Sequence, residues 1–349
     1  MIIETKNLFE KDSFSDPKML WTEIKADSEL FSKMQIVLGK WFPDVNQEEL
    51  ILKVSGIGKI NSSNVLVRTK TSVHVMKIFP ADRIDSATLL EMINLHLKGK
   101  FKDAPLLIEN CKGRGYTEHE SSLYMLYEKV GNRHYHGENG EFESFFEVFK
   151  NFVNNYPING ANYVKQPLLS SDAEDRLESF ISLNWRSNDL EKYQKVIRMN
   201  SNFLVEKIKL ANEHSEASHF NNLRPMHIDL HPHNISIGEN GMYFLDLEAI
   251  QLSSLSRSLG FATYKLIRQS VANGIDLKLF HKFFKKTVFI NFLDEFDLTL
   301  DELKIAALQE VLRRLLILID LLSRGDSEWV FVLPMHLNGL SEIDHIFDT

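Results

Sequence analysis

A change of period constrains this chain more than any other feature. From about Leu50, apolar residues fall at every second position in "LILKVSGIG", "SNVLVRT" and "SVHVMKIF". Side chains alternate between the two faces of a strand, so this spacing predicts strands. In the third segment Val73, Val75, Lys77 and Phe79 share one side. Gly56 and Gly58 supply the first bend and Lys70–Ser72 the second, which predicts an antiparallel three-stranded meander. A helix over Asp85–Gly99 follows, with Asp85 or Ser86 as its cap, and then a strand over Ser121–Val130.

Beyond Val130 the pattern switches. Gly131–Glu143 is rich in turn formers and reads as a hinge. The segments after it carry apolar residues three and four apart, which is helical spacing. One stretch interrupts them: "NISI", "GENG" and "MYFLDLE" read as strand, turn, strand. "ELKIAALQEVLRRLLILIDLLSRG" is apolar on most faces, as a helix buried inside a helical lobe would be. Residues 1–29 read as a loose lead-in, and Leu30–Phe42 carries a helical stripe that Pro43 ends. The expected class is α+β. Residues 1–130 hold the N-terminal extension and a small antiparallel β-sheet lobe, and residues 131–349 hold the hinge and a larger, mainly helical lobe.

Charge and cysteine content narrow the functional classes. A net charge of −8 disfavours nucleic acid, whose phosphates call for a basic surface, and is mildly compatible with a cationic small substrate. The acidic run Asp294–Leu303 reads as a solvated helix start. The lone Cys111 leaves no internal disulfide and suits a reducing cytoplasm. The N-terminus is charged too early for a secretory signal, and no apolar run is long enough for a membrane span. The sequence sets no oligomeric state.

The chemistry concentrates in "MHIDLHPHNISIGENGMYFLDLE", Met226–Glu248. His227, Asp229 and Asn234 form H-x-D-x-x-x-x-N ahead of the first hairpin strand, and Asp246 lies at the far end of the second. The hairpin returns the chain to its start, so Asn234 and Asp246 can share a cation while Asp229 faces a substrate. Phosphoryl transfer needs such a set: a carboxylate for the attacking hydroxyl, oxygen ligands for magnesium and a lysine for the phosphates.

These residues resemble the paired motifs of the aminoglycoside phosphotransferase and choline kinase family, distant relatives of the protein kinases; His231 and Pro232 match as well. The resemblance implies a two-lobed protein-kinase-like fold and an ATP-dependent phosphotransferase, with GTP left open. The acceptor would be a hydroxyl of a sugar, amino sugar, amino alcohol or antibiotic. Asp229 would be the catalytic base, Asn234 and Asp246 the Mg2+ ligands, and His227 a brace for the loop. Lys77 would meet the nucleotide phosphates, Glu91 would pair with Lys77, and Ser62 and Ser63 would lie near the phosphates in the covering loop "SGIGKINSSNV". Backbone groups from Glu128 to Val130 would bind the base. Three positions depart from the pattern. Ile228 and His233 stand where the family has glycine, and Ser258 or Arg257 where an aspartate usually braces the catalytic loop.

Two other readings use the same residues. A pseudokinase or nucleotide-binding regulator would bind without transfer, and the absent aspartate speaks for it. A zinc hydrolase would use His227, His231 and His233, but no further His/Cys cluster completes a closed zinc site, and zinc leaves Asn234 and Asp246 unexplained.

Overall fold

The computed structural model describes residues 9–11, 21–25, 28–43, 50–55, 63–98, 100–138, 140–155, 163–183, 188–213, 222–326 and 329–348. The expected bend at Gly56 and Gly58, Ser62 of the covering loop, and Gly99 lie outside them.

The N-terminal part runs β1 (Trp21–Glu23), α1 (Glu29–Leu38), β2 (Ile51–Ser55), β3 (Ser63–Arg68), β4 (Val73–Pro80), α2 (Ile84–Leu97), β5 (Leu107–Ile108), β6 (Tyr116–His119) and β7 (Ser122–Glu128). Among the described residues these seven strands form one antiparallel sheet, ordered β1-β2-β3-β4-β7-β5, with β6 also on β7. Strand alternation sorts the two faces. Leu52, Val65, Met76 and Leu126 pack on Phe31, Met34 and Val37 of α1. Phe79, Leu123, Met125 and Tyr127 meet Leu90, Ile93 and Leu97 of α2. Lys77 follows Met76, so it shares the Phe79 face, with its ammonium 5.9 Å from that ring.

Two expectations change here. The lead-in is not all loose, because Trp21–Glu23 adds a strand to the edge of β2. Helix α2 begins at Ile84 behind a short 3-10 turn, with Arg83 at the N-cap, so neither Asp85 nor Ser86 caps it. Asp85 lies in the first turn, where its charge complements the helix dipole.

The C-terminal part runs β8 (Arg133–His134), α3 (Glu141–Asn155), α4 (Ala173–Ser182), α5 (Asn188–Met199), α6 (Ser201–Glu213), β9 (Arg224–His227), β10 (Ile235–Gly238), β11 (Gly241–Phe244), β12 (Ile250–Ser253), α7 (Leu255–Ala272), α8 (Leu277–Phe284), α9 (Thr287–Glu295), α10 (Leu300–Ser323) and α11 (Leu333–Phe347). The hinge segment carries β8, which pairs with β10 beside the expected hairpin β10–β11. Phenylalanines bind α3 to α8 and α9 by edge contacts: Phe142 on Phe280 at 5.1 Å, Phe146 on Phe292 at 5.2 Å. Each such pair adds about 0.5–1.5 kcal/mol beyond area burial. Among the described residues, no helix is long and apolar enough to cross a membrane.

Helix α10 is the spine of this lobe, buried along most of its length. The acidic run before it closes a capping box between Thr299 and Glu302, as a helix start should. Its crossing with α7 depends on Gly260: a Cβ there would sit 2.4 Å from the Leu303 carbonyl oxygen. Backbone cannot yield as a flexible side chain can. Gly260→Ala should therefore destabilise the protein by about 1–3 kcal/mol, read as a lower midpoint in urea unfolding; an unchanged midpoint would refute this account of the crossing.

Candidate active site

Strand β9 pairs with β12, placing His227 opposite Ile250, and the catalytic-loop candidate leaves β9 at that point. His227 is fully buried. Its Nε2 donates to the Leu245 carbonyl at 2.8 Å, and its Nδ1 accepts from the Asp229 amide at 3.2 Å. This pairing needs a neutral ring with its proton on Nε2, and burial lowers the His227 pKa accordingly. Asn234 Nδ2 donates to the Asp229 carbonyl at 2.9 Å. The Leu245 amide donates to the Asn234 carbonyl at 2.8 Å, which sets Asn234 one residue from Asp246 across the hairpin.

The missing aspartate has a substitute. Ser258 Oγ donates to the His227 carbonyl at 2.6 Å, from the first turn of α7. Arg257 turns elsewhere: its guanidinium donates to the Pro167 carbonyl at 2.7 Å and lies 3.8 Å from Glu310.

Asp229 carries the loop's charge. Arg314 Nη2 of α10 donates to its Oδ1 at 2.8 Å, and His231 Nε2 lies 3.6 Å from Oδ2. Burial alone would raise the Asp229 pKa, but the Arg314 charge and His231 outweigh it and hold the carboxyl well below its usual range. Asp229 is therefore a carboxylate at neutral pH.

A second charged group spans the sheet and the hairpin. Lys77 Nζ pairs with Asp246 Oδ1 and, at 2.6 Å, with Glu248 Oε2. Burial pulls the lysine pKa down, yet the two carboxylates hold it above its ordinary value. Asp246 adopts the left-handed conformation, φ 61° and ψ 49°, and heads a 3-10 turn over Leu247–Ala249. The turn ends the strand before Asp246 and swings Glu248 back onto the same ammonium. Burial raises the Glu248 pKa to about 7; Lys77 opposes that rise and Asp246 adds to it.

Other expected residues fall as follows. Glu91 does not reach Lys77: its Oε1 accepts from the Gly115 amide, and Glu248 stands beside the lysine instead. The outward bearing of Glu91 from the apolar arc of α2 accounts for this. Ser63 opens β3 opposite Ile78. The Glu128 amide donates to the Leu106 carbonyl at 2.8 Å, and the Val130 carbonyl accepts from Ser236 Oγ at 3.0 Å. His233 stacks on His134 with ring centroids 4.9 Å apart. It also lines a cavity of about 240 Å³ that reaches His231 and Arg314, both of which contact Asp229. Reading the sequence missed Arg314 and Glu310. Their signal was present: charges at positions 310, 313 and 314 in the mostly apolar middle of the helix.

The donor set suits a hard cation. Asn234 and Asp246 offer amide and carboxylate oxygens from neighbouring points of one hairpin, as magnesium prefers. Among the described residues no group of three or more His, Cys, Asp or Glu is arranged to hold a metal, so His227, His231 and His233 build no closed zinc site.

Two outcomes follow from this geometry. Ser258→Ala leaves the buried His227 carbonyl without that donor and should cost about 1–3 kcal/mol in denaturant unfolding; no loss would show that Ser258 does not brace the loop. Glu248 has a folded pKa above its unfolded value, so its contribution to stability is complete below the unfolded pKa and is lost as pH rises through about 7. Glu248→Gln should remove that decline from a pH series of thermal unfolding, whereas an unaltered slope would contradict the raised pKa.

No family sequence model matches the chain, and no curated protein matches it by sequence. Solved structures match it by fold. The microcompartment-associated aminopropanol kinase is 11% identical with a TM-score of 0.63, the match covering 91% of this chain and 97% of that one. Spectinomycin phosphotransferase, in complex with ADP and spectinomycin, is 12% identical with a TM-score of 0.60, covering 92% and 94%. Choline kinase from Cryptosporidium parvum is 13% identical with a TM-score of 0.53, covering 92% and 97%. The chain thus has the two-lobed kinase-like fold shared by aminoglycoside phosphotransferases and choline kinases, the group its two motifs resemble.

Proposed function

We propose that this protein is a magnesium-dependent kinase that moves the γ-phosphoryl group of ATP to a hydroxyl of a small molecule. One observation carries the reading. Lys77 of the sheet meets Asp246 of the hairpin, and the same hairpin holds Asn234 against the Asp229 loop. A lysine, two candidate oxygen ligands and a carboxylate from distant parts of the chain are thus linked through one hairpin. In this reading residues 1–130 form the nucleotide lobe, and residues 131–349 the hinge, catalytic loop and acceptor lobe.

Each residue then has a task. Asp229, ionised at neutral pH, orients the acceptor hydroxyl and takes its proton as the oxygen attacks phosphorus. Lys77 exchanges part of its contact with Asp246 and Glu248 for the nucleotide phosphates. Asn234 and Asp246 would hold magnesium, which when bound neutralises charge on the transferring phosphates. The Glu128 carbonyl and the Val130 amide are the hinge groups proposed to read the base. Most of the rate enhancement comes from positioning and fixed charge. The solved neighbours with ADP or AMP-PNP bound support a nucleotide in this fold. The serine brace on His227 supports transfer over a regulator without activity.

The test is Asp229→Asn. The variant should keep nucleotide-induced thermal stabilisation and lose roughly 100- to 10,000-fold in transfer rate. An ADP-release screen with ATP and GTP, with and without magnesium, supplies the rate. Full activity in the variant would refute the role of Asp229, and no stabilisation of the parent protein by any nucleotide would refute the kinase.

A further inference from the structure

Asp229 and the loop that carries it are tied to one buried carboxylate by two routes. The first runs through side chains of α10. Arg314 Nη2 donates to Asp229 Oδ1 at 2.8 Å, and its Nε donates to Glu310 Oε1 at 2.7 Å. The second runs through the strands beneath the loop. Gln166 Nε2 donates to Glu310 Oε2 at 2.8 Å, and Gln166 Oε1 accepts from Ser253 Oγ of β12. Strand β12 pairs with β9, which ends in His227, and the His227 ring accepts from the Asp229 amide. The two routes close a ring of contacts through Glu310, and Asp229 is where that ring meets the proposed chemistry.

The ring leaves Arg314 little freedom. Both oxygens of Glu310 are in use: Oε1 also accepts from Arg313 Nη2 at 2.6 Å, and Oε2 from Arg313 Nε at 2.9 Å. The guanidinium is fixed on a further side by Phe261 of α7, whose ring centroid lies 4.2 Å away. A planar, forked cation can serve two carboxylates and one ring face at once, whereas an ammonium is a point charge and cannot reproduce that geometry. The Asp229 carboxylate is thereby divided. Oδ1 is engaged by Arg314, while Oδ2 has His231 Nε2 at 3.6 Å, longer than a hydrogen bond. Arg314 and His231 both line the cavity beside Asp229, so both neighbours of the carboxylate border the space that an acceptor would enter.

We infer that Arg314 is a positioning residue for the transfer: it holds Oδ1 of Asp229 so that Oδ2 is presented to the acceptor hydroxyl, and Glu310 holds Arg314 in turn. This rests on the kinase reading above and deepens it by naming the residues that aim its base. In the step itself the acceptor oxygen bonds to the γ-phosphorus, the bond to the ADP leaving oxygen breaks, and the hydroxyl proton passes to Oδ2. Arg314 and Glu310 move no proton. They act on the rate through the aim of the carboxylate, where a misplacement of about 1 Å is enough to cost roughly 100-fold.

The experiment uses the full chain with ATP and magnesium and follows ADP release, at steady state and, for the slowest variants, in single turnovers. The acceptors are water and the fastest member of a pool of neutral, anionic and cationic hydroxyl compounds. Arg314→Met should lower kcat roughly 10- to 100-fold, with the KM for ATP changed less than about twofold. Arg314→Lys should recover part of that loss. Residues that act through one another do not multiply their losses. The double variant Arg314→Met/Asp229→Asn should therefore match Asp229→Asn within about threefold, and Glu310→Gln/Arg314→Met should match Arg314→Met as closely. Arg314→Lys keeps a charge against Glu310 and supplies the same two double variants if Arg314→Met does not fold. A parental kcat in Arg314→Met (or in Arg314→Lys where only it folds), or losses that multiply in either double variant, overturns the inference. ADP release by the parent separates the two levels. If the parent transfers and the losses multiply, only the positioning role fails; if it releases no ADP with any acceptor, the kinase reading fails and this inference falls with it.

Discussion

The organisation of the larger lobe turns on one buried cluster of charge. Glu310, on the inner face of α10, is almost wholly removed from solvent. It survives as an anion because Arg313 and Arg314 donate to both its oxygens and Gln166 Nε2 adds a bond at 2.8 Å. Burial raises its pKa, and the arginines more than reverse that. A charge pair in such a place is expensive to desolvate, so its presence is better explained by what it fixes than by net stability. It fixes Arg314, and Arg314 fixes Asp229. The position of the loop carboxylate is thus set from a helix eighty-five residues away in sequence.

The group around Lys77 has a similar logic. Lys77 needs a partner once the sheet is covered, and Asp246 and Glu248 supply two. With one ammonium between two carboxylates, the site holds a negative excess at the hairpin, where a divalent cation would be welcome. Burial, with Asp246 adding to it, raises the Glu248 pKa, and of the two carboxylates it is the one that takes a proton first.

How much of this was legible follows from which interactions are local. Alternation along β4 and the long apolar run of α10 are patterns within one segment, and both elements formed where those patterns placed them. The hairpin between Asn234 and Asp246 was equally local, and its register is set by the Ile235–Phe244 pairing. Glu91 failed for a geometric reason: on α2 it faces away from the sheet lysine, so order in the sequence could not carry it to Lys77. Arg314 and Glu310 escaped because their partners lie on other elements. A charged side chain inside an apolar helix signals that it has a partner but does not name one. The lead-in strand escaped for the same reason, since only the edge of β2 makes Trp21–Glu23 a strand.

The serine at position 258 braces the loop with a neutral donor. An ionised aspartate there only accepts hydrogen bonds, so it could not donate to the His227 carbonyl as Ser258 Oγ does at 2.6 Å, and would have to brace the loop through N–H groups. It would also bring a negative charge to the first turn of α7, next to Arg257 and close to the cluster of arginines around Glu310. Serine supplies the donor and omits the charge. The neutral side chain braces the loop and adds no second carboxylate to compete with Glu310 for Arg257. The departure from the family pattern that weakened the motif as a sequence signal is thus a change of hydrogen-bonding role: a hydroxyl can donate to a carbonyl, which an ionised carboxylate cannot.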